Sequence, residues 1–387
     1  MNLIFNRKKQ TQVKSKVSQE KSEQMVEAYE VASQWKLMWW KFRKHKMAMI
    51  AGPILIFLYF CAIFADFLSP AVPLKRYTNY KNCPPTKIRF VDEETGFSSR
   101  PFVYDMKMDV NPETFKREFT EDKSTKFPIY FFVKGEPYKL LGLFKTDIHL
   151  FGTGVSDAPF FLMGTDDLGR DLFTRVLYGS RISLSFGLVS IFFTFTLGML
   201  LGGLSGYIGG VVDTVIQRLI DLLISMPQIP LWMALAAALP RDWSPLRIYF
   251  GMILIMSVVG WTGLARVVRG KILSLREEDF TMAARLCGAS NSRIITKHLL
   301  PSFASYIIVN ITLSIPGSIL GETSLSFLGL GLQPPVVSWG VLLQDAQNLE
   351  TLAHHPWLLW PAFFIILTVL MYNFLGDGLR DAADPYK

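Results

Sequence analysis

Six stretches approach or reach the roughly 20 mostly apolar residues that a helix needs to cross a bilayer. They are 47–68, 182–208, 219–239, 248–264, 302–320 and 357–375. Two shorter apolar pieces, 325–332 and 336–343, cannot cross and are expected as re-entrant or surface elements on one face. The first stretch follows some 46 residues and has no small-residue cleavage site close behind it, so it reads as a span rather than a cleaved signal. Between 69 and about 178 the pattern turns polar over a domain-sized length. Residues 77–126 are studded with charges, Pro and Asn, whereas 127–151 alternates aromatic and aliphatic residues around the turn Lys134-Gly135-Glu136-Pro137. A small, partly β module is expected there, either covering the outer mouth of the bundle or docking a soluble partner.

The distribution of cations orients these spans, because short cytoplasmic loops collect Lys and Arg. Lys36, Lys41, Arg43, Lys44 and Lys46 precede the first span, which places the amino terminus in the cytoplasm. Six crossings return the carboxyl terminus to that side. The loop 265–301 then lies inside and carries Arg266, Arg269, Lys271, Arg276, Arg285, Arg293 and Lys297, while 322–356, outside, has neither Lys nor Arg. Trp35, Trp39 and Trp40 among cations suit a helix lying at the inner headgroup level, in contact with membrane lipid. The run 7–30 before it reads as a solvated tail.

Composition supports the same class. Half of the 387 residues are hydrophobic, 19% are charged, and the mean hydropathy is +0.28, which excludes a wholly disordered chain and a disulfide-stapled secreted domain. The formal charge of +8 belongs to cytoplasmic loops, so no nucleic-acid partner is inferred. Cys61, Cys83 and Cys287 fall in different compartments and form neither a pair nor a CxxC motif.

Gly198, Gly202, Gly206 and Gly210 recur every fourth residue, which predicts a stripe allowing close helix approach. Pro227 and Pro230 in the third span, and Pro316-Gly317 in the fifth, predict bends facing a pathway. Ionisable residues in the spans are few. Asp213, Arg218 and Asp221 stand at one end of the third and Glu322 at the outer end of the fifth, with no relay crossing the membrane. Energy for transport is therefore expected from a partner. No nucleophile–base set suggests an enzyme, and His354-His355 reads as a polar loop pair rather than a zinc site.

The loop 265–301 is too patterned for a linker. Glu277, Glu278 and Asp279 suit a helix start and Gly288 its stop, with Phe280, Ala283, Ala284 and Cys287 on one face. A second helix is expected over 290–300. This hairpin either fits a groove on another protein or packs beneath its own bundle. Its sequence, DFTMAARLCGASNSRIITKHLLP over 279–301, resembles the cytoplasmic EAA loop of binding-protein-dependent ABC importer permeases. Ala283, Ala284, Gly288, Leu300 and Pro301 match that pattern, and Met282 stands where it has Glu. GTDDLGRDLFTRVLYGSR at 164–181, GETSLSFLGLG at 321–331 and GDGLRDAADP at 376–385 are similar to the C-type permeases of dipeptide and oligopeptide importers.

The resemblance implies an all-α polytopic membrane protein of the six-helix type I importer fold. It also implies pairing with a second, similar permease, two ATPase subunits holding ATP and magnesium, and an extracytoplasmic substrate-binding protein. Glu278, Asp279, Phe280, Ala283, Ala284, Arg285, Gly288, Ala289, Leu300 and Pro301 would then form the ATPase-coupling surface. The chain carries no G-x-x-x-x-G-K-[ST] loop, so no cofactor is expected on it and hydrolysis is expected in the partners. The expected organisation is a tail with an interfacial helix (1–46), the first span (47–68), the extracytoplasmic insert (69–178), a five-helix core (179–376) and a short cytoplasmic tail (377–387). The insert is longer than the resemblance accounts for. Rival readings keep this architecture with oligosaccharide or a nickel chelate as cargo, or replace it by an autonomous secondary carrier or an anchored receptor. A carrier has no need of the patterned loop.

Overall fold

The computed structural model describes residues 34–92, 96–110, 112, 117–155, 158–240 and 242–383. The tail expected over 7–30 and the last two residues of the 376–385 motif lie outside them. Helix α1 (Gln34–Lys44) ends on Lys41, Arg43 and Lys44, cations that suit the negative end of a helix. Helix α2 (Lys46–Ile63) follows at once, its first turn capped by His45, whose Nδ1 accepts the Ala48 N–H at 3.1 Å. The single turn α3 (Ala65–Leu68) ends the first crossing.

The remaining spans are α4 (Leu172–Ile208), the pair α5 (Gly210–Ser225) and α6 (Gln228–Ala237), α7 (Pro245–Leu275), α9 (Ala304–Phe327) and α11 (Trp360–Ala383). Among the described residues, five helices are individually long and apolar enough to cross a membrane. The third stretch, expected over 219–239 as a span bent at Pro227 and Pro230, is broken outright: α5 and α6 meet at 91°. Met226 precedes Pro227, whose ring disfavours helical backbone in the preceding residue, and Met226 is extended at φ −89°, ψ 140°. Helix α4 begins about ten residues before its apolar stretch because Asp171 caps it, Oδ2 accepting the Thr174 N–H at 2.9 Å. Helix α11 runs on to Ala383, so 377–383 is helix rather than the expected tail.

In the bundle, α4 packs lengthwise on α7, α9 on α11, and α11 on α2. The shared core includes Phe195, Leu264, Ile272, Ile307, Ile319 and Tyr372. The α4–α7 contact is a backbone contact. A Cβ on Gly202 would stand 2.5 Å from the Ala265 carbonyl oxygen, one on Gly206 2.8 Å from that of Arg269, and one on Gly198 2.8 Å from the Leu264 side chain. Gly210 does not belong to the stripe. Gly209 leaves the helix at φ +71°, and Gly210 begins α5 with open space where a Cβ would be. At this end Asp213 of α5 accepts two bonds from Arg269 of α7, at 2.6 and 2.5 Å, and one from the Ser205 hydroxyl of α4. Asp221 likewise pairs with Arg266 at 2.5 Å. The main partners of these acids thus come from a neighbouring helix rather than from their own.

The polar insert is more extensively β than its sequence texture suggests. Strands β1 (Arg89–Asp92), β2 (Gly96–Val110) and β3 (Arg117–Pro128) form one antiparallel sheet, almost wholly inside the charged stretch 77–126, where the sequence showed no strand pattern. Phe102, Val103, Tyr104 and Met106 give it a buried side, and Lys126 reaches Asp92 at 2.5 Å. Strands β4 (Tyr130–Leu140) and β5 (Phe144–Gly152) form a separate hairpin. Buried His149 fastens this hairpin to the end of the first crossing, its Nδ1 lying 2.6 Å from the Ser69 carbonyl oxygen.

Overpacking a tight helix contact costs about 1–3 kcal/mol. Gly202→Ala is therefore expected to lower the thermal unfolding midpoint of the purified chain by several degrees. Gly203→Ala, whose Cβ would make ordinary contact with Ile295 at 3.5 Å, should leave it unchanged.

Candidate functional site

The loop 265–301 forms one end of the bundle. Helix α8 (Asp279–Leu286) is short, and its hold on the bundle is specific. Thr281, fully buried, donates its hydroxyl to the Leu275 carbonyl oxygen at 2.8 Å, locking α8 to the last turn of α7. The Glu278 carbonyl oxygen accepts the Thr281 and Met282 amides, while its side chain makes no capping bond; Asp279 supplies the first-turn acid. The carboxyl end closes as a Schellman motif: the Ala289 N–H donates to Ala284 O at 3.1 Å and Gly288 N–H to Arg285 O at 3.0 Å. Gly288 sits at φ +76°, a backbone region that only glycine enters readily. The Arg285 guanidinium lies over the Tyr207 ring at 5.8 Å.

What α8 leaves open matters more. Phe280, Ala283 and Cys287 of the expected face are exposed, with Ala284 half-buried behind them. Met282 and Leu286 are exposed too, Leu286 at 87%. Within this chain, α8 therefore keeps much of its apolar surface uncovered. The second helix, expected over 290–300, is helical but not uniformly α. Residues Asn291–Arg293 are α-helical, Ile294–Leu299 is a π-helical stretch, and Leu300 and Pro301 begin the turn into α9. Ile294 and Leu299 are fully buried, so this segment is the fixed side of the hairpin and α8 the open side.

Deeper in the membrane, a cavity of about 420 Å³ opens between α4, α6, α7 and α9. Ser190, Thr194, Gln228, Asn310 and Ser314 line it with uncharged hydrogen-bonding groups, and buried Trp232 has no partner for its Nε1–H. The elbow at Pro227 is what directs Gln228 and Trp232 here. Pro230 falls in the first turn of α6, exposed and off the lining. Pro316 is buried inside α9, which continues through it as one helix, whereas Gly317 lines the cavity.

At the opposite end, Glu322 is fully buried in α9 and accepts hydrogen bonds from the hydroxyls of Ser338 at 2.7 Å, Ser326 at 2.9 Å and Ser183 at 3.2 Å. Each hydroxyl accepts a backbone amide in turn: Val341, Leu332 and Trp339 respectively. One carboxylate thus clamps the segment 332–341 onto α4 and α9. This segment, including the short α10 (Trp339–Leu342), was expected as a re-entrant or surface element; it is anchored as a plug, with Leu332 and Trp339 fully enclosed. Nearby, Asp166 accepts the Nε of Arg170 at 2.7 Å and the Arg175 guanidinium, so two cations stand against the three carboxylates of Asp166, Asp167 and Asp345, which lie within 4.8 Å of one another. Burial, with Asp167 alongside, pushes the Asp345 carboxyl up to about 6.

Sequence reasoning missed the serine ring and the cavity hydroxyls. Glu322 and Ser326 are one helical turn apart and could have been paired, but Ser183 and Ser338 meet Glu322 only through the fold.

Residues 198–386 match the family described as binding-protein-dependent transport system inner membrane component, and residues 33–85 match the N-terminal TM domain of oligopeptide transport permease C. The chain belongs to the inner-membrane permeases of binding-protein-dependent transport systems. Within them it groups with the dipeptide and oligopeptide C-type permeases. It is 40% identical over 225 residues to the dipeptide transport system permease protein DppC of Bacillus subtilis, covering 57% of this chain and 68% of that one. With the oligopeptide transport system permease protein OppC of Haemophilus influenzae it shares 40% identity over 242 residues, 62% of this chain and 75% of the other. An inward-facing structure of the MetNI methionine ABC transporter is similar at 18% identity, with a TM-score of 0.41 over 54% of this chain and 95% of that one.

Glu322→Gln places an amide donor against at least one serine donor, and an unsatisfied buried group costs about 1–3 kcal/mol. The variant should unfold at a measurably lower temperature in detergent. For Asp345 the folded value near 6 exceeds the ordinary 3.8, so between those values the folded chain binds more protons than the unfolded one. Stability therefore falls as pH rises through that window, and Asp345→Asn should flatten the slope of the unfolding midpoint between pH 4 and 6.

Proposed function

We propose that this chain forms half of the translocation pathway of an ATP-driven peptide importer. A second, similar permease supplies the other half, and an extracytoplasmic binding protein delivers the cargo. Both termini and α8 face the cytoplasm, where two ATPase subunits carry the nucleotide and magnesium. In this reading α8 seats in a cleft of one ATPase, and closure of the ATPases moves it as a rigid knuckle. The hydroxyl bond from Thr281 to Leu275 passes that movement into α7, and the glycine contact passes it from α7 to α4.

The observation that carries this reading is the exposure of Phe280, Ala283 and Leu286 on a helix otherwise fastened at both ends. A cargo of peptides follows from the relatives, which are named for dipeptide and oligopeptide transport. The neutral cavity lining suits it, since hydroxyls and amides hydrogen-bond a peptide backbone without selecting side-chain charge.

The test is reconstitution with the ATPases and binding protein. Ala283→Glu combined with Leu286→Glu should abolish co-purification of the ATPases and ATP-dependent peptide uptake. The chain's own unfolding midpoint should stay put, because both side chains are exposed. Uptake driven by an ion gradient through this chain alone would overturn the reading.

A further inference from the structure

The β4–β5 hairpin carries its most apolar residues at its tip, where a water-exposed turn would be polar. The tip reads Leu140-Leu141-Gly142-Leu143-Phe144, with Leu141, Leu143 and Phe144 exposed at 50, 76 and 67%. The turn is of the mirror-image type. Leu141 and Gly142 both have positive φ, +53° and +73°, and the Leu143 N–H donates to Leu140 O at 3.0 Å. Such turns select Asn or Asp at their first central position. A leucine held there at positive φ is strained. In water nothing offsets that strain, whereas transfer of the side chain into an apolar phase does.

The position of the tip identifies that phase. Leu141 borders a groove of about 420 Å³ shared with Ile63 of α2 and Leu184 and Leu188 of α4. Ile63 and Leu188 are half exposed on the outward surface of membrane-crossing helices, so the tip is continuous with their lipid-facing side. Nearer the base of the hairpin, Phe132 meets Phe67 of α3 with ring centroids 6.3 Å apart. Just above the tip, Lys139 and Lys145 are direct cross-strand partners. Like charges so placed repel each other in water but suit a layer of phosphate headgroups.

We propose that the β4–β5 hairpin tip, residues 139–145, is a lipid anchor that inserts Leu141, Leu143 and Phe144 into the membrane leaflet on the insert's side, with Lys139 and Lys145 on anionic headgroups. Insertion stops at the interfacial depth of about 5–10 Å, because the unpaired edges of a two-stranded ribbon cannot enter the hydrocarbon. The insert is thereby tethered to the bilayer beside α2 and α4. This inference is independent of the transport reading.

The test uses the full chain in nanodiscs of phosphatidylethanolamine and phosphatidylglycerol. A nitroxide on Leu143→Cys, with Cys61, Cys83 and Cys287 replaced, should show an oxygen-to-nickel-chelate accessibility ratio several-fold above that of a nitroxide on Ser99→Cys, an exposed position in β2. Equal ratios would place the tip in water, and shielding from both reagents would place it under protein; either overturns the proposal. Hydrogen exchange on the unsubstituted chain gives a second reading without cysteine replacement. Amides of 139–146 should exchange several-fold more slowly in these nanodiscs than in detergent-free amphipol, with those of 117–128 unchanged. Equal exchange in the two environments would also overturn it.

Discussion

The backbone contact of α4 with α7 is the constraint on which the other features depend. Glycines at 202 and 206 let the Ala265 and Arg269 backbone approach to distances no Cβ tolerates, and Gly198 does the same for the Leu264 side chain. Lipid tails are as apolar as the side chains, so burial alone gives helices in a bilayer little reason to associate. Close van der Waals contact therefore has to hold this pair. The Asp213–Arg269 bond then fixes α5 to the same seam, so one end of the bundle moves as a unit. Because α7 leads without interruption to the residue that holds Thr281, anything displacing α8 displaces this unit.

The far end is held differently. There the fastening is a single carboxylate that organises three hydroxyls, each hydroxyl organising one backbone amide. Such an arrangement is directional where glycine packing is not, and it fixes the plug 332–341 in one position over α4 and α9. Between the two ends lies the cavity, lined by neutral groups and reached by the elbow of α5 and α6. A stiff seam at one end, a clamped plug at the other and a polar space between are the features on which the proposed pathway rests.

Much of this was legible in the sequence, for identifiable reasons. Spans follow from apolar length, and α8 follows from its acidic start, its glycine stop and its small-residue face. These are local signals. The glycine stripe was read one residue too far because spacing alone does not reveal that Gly209 ends the helix. The third span was read as a kinked rod because Pro227 announces a bend but not its angle, which neighbouring helices set. The strands β1–β3 were hidden because their charges pair across strands, as Lys126 does with Asp92, so polarity resembled irregular chain. The serine ring was invisible because Ser183 lies 139 positions from Glu322 along the chain.

The elbow between α5 and α6 has a consequence for what the chain needs around it. Interrupting a helix at membrane depth frees carbonyl and amide groups that acyl chains cannot satisfy. Only Ile216, Ile220, Trp232 and Ala236 of these two helices are buried within the chain, so their other flanks stay bare. The bend is thus the part of the chain that depends most on what lies against it, because a bare flank and an interrupted helix coincide there.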